Sequence, residues 1–353
     1  MSRLTVGILF GGVSGEHEIS LLSAKAVIEA IDPDKYDVVP IGITKEGEWL
    51  IQGDPMSALV ERAERDKRAV VDRVQARTKA NTLPAPFPPV NVAFPLLHGP
   101  FGEDGTVQGM LEMANIPYVG AGVLASALGM DKALMKEVFL QQGLPVARFE
   151  VVLRSDWARR PESALTRAGA LGYPLFAKPV NGGSSVGISQ VTSPQHLPEA
   201  LHLAFRYSRK AILEEAIDGR EIECSVLGND DPQVSIPGEL DYDSEFYDYD
   251  AKYRNGSTRL VIPAVLDPAQ ASHVQGLAIA AFQAIDCCGM ARVDFFLRRD
   301  DSAVFVNEIN TIPGFTPMSM YPRLWEASGV SFRDLIDRLI QLGLERHADK
   351  AGS

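Results

Sequence analysis

Apolar and polar positions alternate along the chain in blocks that predict strands and helices in turn. LTVGILF (4–10) is an unbroken apolar run of buried-strand length, and the turn GGVSGEHE leads from it into the helix ISLLSAKAVIEAI, stopped at Asp32-Pro33. YDVVPIGIT predicts a second strand, and NVAFPLLHGPFGEDG a third that runs into a glycine-rich loop ahead of the helix TVQGMLEMA. Between these two strands, residues 52–90 read as a charged, helical insertion (SALVERAERDKRAVVDRVQAR) closing in TLPAPFPP. Further on, DKALMKEVFLQQG predicts a helix ended by Gly143 and Pro145, and PLFAKPVNGGSSVGISQV two strands around a Gly/Ser loop. AILEEAI and EIECSVLG predict two more strands, with helices from about Pro268 to Asp286 and from about Ser331 to Leu344. The pattern breaks into three regions, with changes near Gly120 and Asp218 and no internal repeat.

One pair of strands carries more chemistry than the rest. MARVDFFL and AVFVNEI alternate as paired strands do, with RRDDS as the polar turn between them. Arg292 and Asp294 are two apart and point the same way; Glu308 and Asn310 do likewise on the second strand. One face of a hairpin therefore presents a guanidinium beside three hard oxygen ligands, ahead of the rigid turn TIPG. Such a set suits Mg²⁺, which takes few protein ligands and leaves positions for water and phosphate. For one carboxylate alone, a salt bridge on the wet face of an alternating strand pair is the plainer reading.

Composition narrows the field. At 353 residues, with 46% hydrophobic and 23% charged content, the chain is long enough for two or three domains with sizeable cores. A net charge of −12 argues against a general binder of nucleic acid or anionic membrane, so an anionic ligand must be held by local positive charge. Cys224, Cys287 and Cys288 form no disulfide framework and fit a reducing compartment. No apolar run approaches the ~20 residues of a membrane helix. LTVGILF leads into GGVSGEHE and not into a small-residue cleavage site, which sets a cytoplasmic expectation.

Several loops could serve a nucleotide. NGGSSVG (181–187) offers backbone N–H groups, and Ser184 and Ser185 add hydroxyls; it is not a Walker A loop, since no GK[ST] is present. Lys178 lies beside it and could meet phosphates. Glu214 and Glu215 close one strand, with Glu221 beyond them, where carboxylates could accept from an adenine amino group and ribose hydroxyls; surface acid is the plainer reading. GGVSGEHEIS lacks the G-x-G-x-x-G spacing, and Glu16 is better read as an anion offered to a substrate amine. His98 ends a parallel-type strand, where ligand sites in open α/β sheets lie.

Taken together, these motifs closely resemble the D-alanine–D-alanine ligases of the ATP-grasp superfamily. HGPFGEDGTVQG matches the family's first signature and CCGMARVDFF…FVNEINTIPG its second, with GMDK, AKPVNGGSSVG, LEEAIDGRE and FYDYDAKY in family order. The resemblance implies an α/β, three-domain ATP-grasp fold. Its parts would be a parallel α/β domain over 1–120, which includes the 52–90 insertion, and two α+β domains over 121–217 and 218–353 that clasp ATP. It also implies roles. Glu16 would take the amino group of the first D-alanine, linked to Ser184 and Tyr253, with His98 beside that substrate. Lys132, Lys178 and Ser185 would bind ATP phosphates and Lys252 the γ-phosphate. Glu214, Glu215 and Ile217 would line the adenine pocket, and Glu221 the ribose; Lys replaces Glu215 in some relatives. Asp294, Glu308 and Asn310 would hold a pair of Mg²⁺ ions, with Mn²⁺ as a substitute. Arg292 and the Gly314 N–H would stabilise an oxyanion, and Ser319 and Met320 would hold the second D-alanine.

The implied activity is ATP-dependent formation of D-alanyl-D-alanine, through a D-alanyl phosphate, for peptidoglycan precursors. SEFYDYDAKYRNGS (244–257) suits the lid such an intermediate needs. A homodimer without nucleic-acid or membrane partners is expected on the same ground. The nearest rival is another ATP-grasp ligase, including one that forms D-alanine–D-lactate. A Rossmann dehydrogenase is disfavoured by the glycine spacing, and a non-catalytic nucleotide binder by metal ligands and oxyanion stabilisers occurring together.

Overall fold

A computed structural model describes residues 3–66, 87–183, 186–242 and 258–352. Residues 67–86 of the insertion, Ser184 and Ser185, and the tyrosine-rich stretch with Lys252 and Tyr253 lie outside the described residues.

The first sheet is built from β1 (Leu4–Gly11), β2 (Tyr36–Ile43), β3 (Trp49–Leu50) and β4 (Val92–Pro95), in the order β3-β2-β1-β4. β1 runs parallel to both β2 and β4, while β3 is added antiparallel at the edge. An unbroken apolar run is what such a central strand requires, since it is covered on both faces. Helices α1 (His17–Ala30), α2 (Pro55–Asp66) and α3 (Thr106–Met113) belong to this region, with α2 the described part of the insertion.

Helices α4 (Val123–Met130) and α5 (Lys132–Gln141) follow. The second sheet comprises β5 (Phe149–Leu153), β6 (Leu175–Pro179), β7 (Ser189–Val191) and β8 (Lys210–Glu215), all antiparallel in the order β5-β8-β6-β7. It packs on α7 (Pro161–Leu171) and α8 (Leu197–Tyr207), with the short α6 (Arg154–Arg159) between β5 and α7.

The third sheet holds β9 (Gly219–Gly228), β10 (Gln233–Val234), β11 (Gly238–Tyr242), β12 (Thr258–Val261), β13 (Gly289–Arg298) and β14 (Val304–Asn310). Its path is β12-β11-β9-β13-β14, with β10 on β9, and every pairing is antiparallel. Helix α9 (Pro268–Ala284) starts with Asp267 and Gln270 in a reciprocal capping box and Pro268 in the first turn, so its position is fixed locally. Its Ala278 and Phe282 share a core with Val293 of β13 and with Met135 and Phe139 of α5.

Two closing helices complete the chain, α10 (Met320–Ala327) and α11 (Phe332–Lys350). Leu335, Ile336, Leu339 and Ile340 of α11 pack with Val6, Ile8 and Phe10 of β1, so the tail seals the core of the first sheet. That contact brings the TIPG turn, just ahead of α10, against the ends of β1 and β4.

Candidate active site

The hairpin face expected from the sequence is present. β13 and β14 pair with Arg292 opposite Asn310 and Asp294 opposite Glu308, and the register shifts at Asp294–Phe295. The Arg292 guanidinium donates from Nε and Nη2 to the two Asp294 oxygens, at 2.7 Å each. Arg292 Nε also stands 3.0 Å from Glu223 on β9, and Asn310 Nδ2 donates to Asp294 at 2.9 Å. Burial works against the guanidinium charge, but Asp294 and Glu223 outweigh it and hold Arg292 well above its ordinary range. The cation is therefore permanent and its fork is aimed by two carboxylates.

Lysines come from the other side. Asp131 caps α5 by accepting from the Leu134 N–H at 3.1 Å, and the Lys132 N–H bonds the Val180 carbonyl at 3.1 Å. The helix start is thereby tied to the strand that enters the Gly/Ser loop. Lys132 Nζ lies 2.5 Å from Glu308, while one turn later Lys136 Nζ lies 2.9 Å from Glu214. Lys178 Nζ takes the other Glu214 oxygen at 2.5 Å. Burial would raise the Glu214 pKa, but Lys136 and Lys178 prevail and hold it below the usual carboxylate range. Burial, opposed by Glu214 and aided by Lys178, lowers Lys136, whose side chain is 1% exposed.

A third group surrounds the start of α1. Glu16 occupies the N-cap position, and its N–H bonds the Ser14 hydroxyl at 3.2 Å. A Cβ at Gly99 or Gly183 would come within 3.2 or 3.3 Å of Glu16 Oε2. Both loops thus approach that carboxylate closely, and at Gly99 a φ of 76° also favours glycine. His98 is buried, with Nδ1 3.0 Å from the Ile312 carbonyl and Nε2 3.2 Å from Ser23 Oγ. Burial lowers its pKa against the pull of Glu16, so the ring is neutral at pH 7. Glu103 accepts from the Gly99 N–H at 2.5 Å. Burial, with the Glu16 charge next, pushes its carboxyl up to about 8.

One cleft is lined by residues of all three groups, among them Glu16, His98, Glu103, Lys132, Arg292 and Gly314. Glu308 and Asn310 line it as well. A carboxylate, a permanent cation and the Gly314 turn thus meet around one cleft. Ser319 adjoins the cleft: it stands at the N-cap position of α10 with its hydroxyl turned to Thr316 at 2.8 Å, and its Oγ lies 3.1 Å from a Cβ placed at Gly314. Glu214 and Lys178 stand behind Lys132. Glu215 bonds Arg148 at 2.7 Å, Ile217 in the link from β8 to β9 and Glu221 on β9 are half-buried, and the Met320 side chain is in the core with Leu240 and Leu324. Glu103, Glu223, Lys136 and Ser23 belong to the arrangement without having been singled out in the sequence. Lys136 could have been found from its i+4 spacing to Lys132, and Glu223 from alternation with Glu221.

Residues 5–121 match the family model for the D-Ala D-Ala ligase N-terminus, and residues 138–341 that for the C-terminus. A D-alanine–D-alanine ligase from Geobacillus kaustophilus is 51% identical over 99% of this chain and 96% of its own. The solved structure of VanG D-Ala:D-Ser ligase from Enterococcus faecalis superposes with a TM-score of 0.83 at 38% identity, covering 97% of this chain and 100% of that one. A D-alanine–D-alanine ligase from Bacillus anthracis, solved in complex with ATP, gives 0.74 at 26% identity, over 99% of this chain and 100% of that one.

Proposed function

This chain belongs to the D-alanine–D-alanine ligase family, and we propose that it joins two D-alanines into D-alanyl-D-alanine at the cost of one ATP, for peptidoglycan precursor synthesis. The observation that carries the reading is the meeting of Glu16, Arg292 and Gly314 on one cleft beside the Lys132–Glu308 pair. An amine acceptor, an oxyanion wall and a phosphate-side lysine are the parts that activation of an amino acid's carboxylate requires.

A carboxylate is a poor acyl donor. One oxygen of the first D-alanine attacks the γ-phosphorus of ATP, ADP leaves, and an acyl phosphate forms. The amine of the second D-alanine then attacks that carbonyl, and phosphate departs from the tetrahedral adduct. Glu16 holds the ammonium of the first D-alanine, with His98 beside it. Lys132 and Lys178 face the phosphates. Glu214, Glu215, Ile217 and Glu221 form the nucleotide end, Glu214 through the lysines it holds. Arg292 and the Gly314 N–H face the developing oxyanion. Ser319 and the Met320 backbone take the second substrate's carboxylate. The resemblance adds Ser184, Ser185, Lys252 and Tyr253, which lie outside the described residues.

Asp294, Glu308 and Asn310 fit Mg²⁺ by chemistry, because they are hard oxygen donors brought side by side by the hairpin register. They would hold a pair of Mg²⁺ ions, or Mn²⁺, which supply neutralisation of charge on the phosphoryl oxygens. No helix among the described residues is long and apolar enough to cross a membrane. The resemblance supports a homodimer working in the cytoplasm.

The experiment is ADP and phosphate release by the purified protein with ATP and Mg²⁺, alone and with D-alanine, L-alanine or D-serine added. Release should require D-alanine and yield the dipeptide, as the curated relative at 51% identity suggests. A likeness to the D-Ala:D-Ser ligase favours D-serine as the competitor to include. Equal turnover with L-alanine would refute the reading, and preference for D-serine as second substrate would shift the product to D-alanyl-D-serine.

A further inference from the structure

Helix α1 carries a line of polar groups on its inner face: Glu16 at its cap, then Ser20 and Ser23, spaced i, i+4 and i+7. Ser20 Oγ accepts from the Gly11 N–H at 2.7 Å and donates to the Leu96 carbonyl at 2.5 Å, fastening the ends of β1 and β4 together. Ser23 is fully buried two turns into the helix and reaches the other way. Its Oγ lies 3.2 Å from His98 Nε2 and accepts from the Phe315 N–H at 3.3 Å.

The protons in this network have one consistent placement. Ile312 O can only accept, so His98 Nδ1, at 3.0 Å, carries a hydrogen. A neutral ring then has a lone pair on Nε2, which takes the Ser23 hydroxyl hydrogen. The Ser23 oxygen keeps a lone pair for the Phe315 N–H. A doubly protonated ring would turn Nε2 into a donor and leave the Ser23 hydrogen without this acceptor. Buried polar groups are costly when unmatched, so the neutral arrangement is the stable one.

The consequence falls on two residues in the middle. Ile312 and Phe315 bracket Pro313 and Gly314, and both are held through the Ser23–His98 pair. We propose that Ser23 is a positioning residue for the second chemical step, fixing with His98 the turn that aims the Gly314 N–H at the oxyanion. This rests on the ligase reading and deepens it. The helix that offers Glu16 to the first substrate then also sets the donor that receives charge when the second substrate attacks. The Phe315 ring is held by Phe94, Phe332 and Tyr321, at centroid distances of 5.7, 5.5 and 5.9 Å, while Ser23 holds the Gly314–Phe315 peptide and His98 the Ile312 carbonyl, one on either side of the Pro313–Gly314 peptide that carries the N–H. The same ring packing should keep Ser23→Ala folded.

Single-turnover rapid quench with ATP, Mg²⁺ and saturating D-alanine follows ADP and dipeptide separately. Gly314 acts on the second step, so Ser23→Ala should form ADP within about twofold of the wild-type rate. Dipeptide should lag by about tenfold, the scale of one displaced hydrogen bond in a transition state. His98→Gln should slow dipeptide formation too, and the double variant should be no slower than the worse single one, as expected of groups acting through one network. Superimposable ADP and dipeptide curves in Ser23→Ala, whether both slow or both normal, would overturn the inference. Absence of dipeptide from the wild type would instead overturn the ligase reading.

Discussion

Lys132 Nζ stands 2.5 Å from Glu308 Oε2, an ion pair that joins the first residue of α5 to β14 across the floor of the cleft. Burial would lower the lysine, but Glu308 outweighs it and Lys132 is held above its ordinary range. The pair couples the proposed phosphate-side lysine to a proposed metal ligand, so neither can be changed without the other feeling it.

Glu308→Gln should therefore do two things. Turnover should fall by at least about 10²-fold, since a charged ligand and the lysine's partner are both lost. Stability should drop by about 1–3 kcal/mol, because Lys132 keeps its charge in a largely buried position. Steady-state ADP release across a magnesium titration, with urea unfolding alongside, checks both. Near-normal activity at any magnesium level would mean the ligand is misassigned.

Arg292→Ala should lose about 10²–10³ in rate, the scale of one oxyanion donor. It should also destabilise by about 3–5 kcal/mol, because Asp294 and Glu223 would be left as facing buried carboxylates. Arg292→Lys should recover most of the stability and little of the rate, since an ammonium keeps the charge without the two-pronged fork. Melting temperature and kcat measured on both variants separate the roles; equal recovery of both would show that charge alone suffices.

Glu103 gives a pH signature. Burial, with the Glu16 charge next, pushes its folded carboxyl up to about 8, against an ordinary value of 4.5. Across that window the folded chain holds a proton the unfolded chain has released. The stability this group contributes is full below 4.5 and is lost as pH rises through about 8. Glu103→Gln stays neutral and can still accept from the Gly99 N–H. Its melting temperature relative to wild type should climb from pH 4.5 to 8. Parallel melting curves over that range would show Glu103 ionised in the folded chain.

The sequence made the hairpin legible because its signal is local: alternation, a polar turn and two-residue spacing place Arg292, Asp294, Glu308 and Asn310 on one face, and the observed register does so. Strand and helix order in the first region was readable for the same reason. Partners distant in the chain were not. Nothing near Lys132 announces Glu308, and a serine in the middle of α1 gives no sign of meeting His98 or Phe315. Lys136 reads as one more charge on a solvated helix, yet the second sheet covers it. The last helix runs to Lys350 and not to Leu344, because its polar end offers no apolar periodicity to follow. Strand β5 and helices α6, α7 and α10 were not delimited, and the short β11 is placed by pairing with β9 on one side and the edge strand β12 on the other.

Glu214 offers the sharpest test of how the nucleotide end works. Sequence resemblance places its carboxylate toward adenine; in the fold both oxygens are engaged, one by Lys136 at 2.9 Å and one by Lys178 at 2.5 Å. A buried carboxylate between two lysines is chiefly a device for holding them. Glu214→Gln removes the shared anion and leaves two cations facing each other, which should cost about 3–5 kcal/mol and raise the KM for ATP. Lys136→Met alone leaves the Lys178–Glu214 pair and should cost less. In the double variant Glu214→Gln/Lys136→Met the repulsion is gone, and a neutral amide can still accept from Lys178. Stability should then recover to within about 1 kcal/mol of Lys136→Met, a coupling of the size seen for contacting groups. The KM for ATP should recover with it. If stability returns while ATP binding stays weak, Glu214 contacts the nucleotide directly, and the adenine assignment is the correct one.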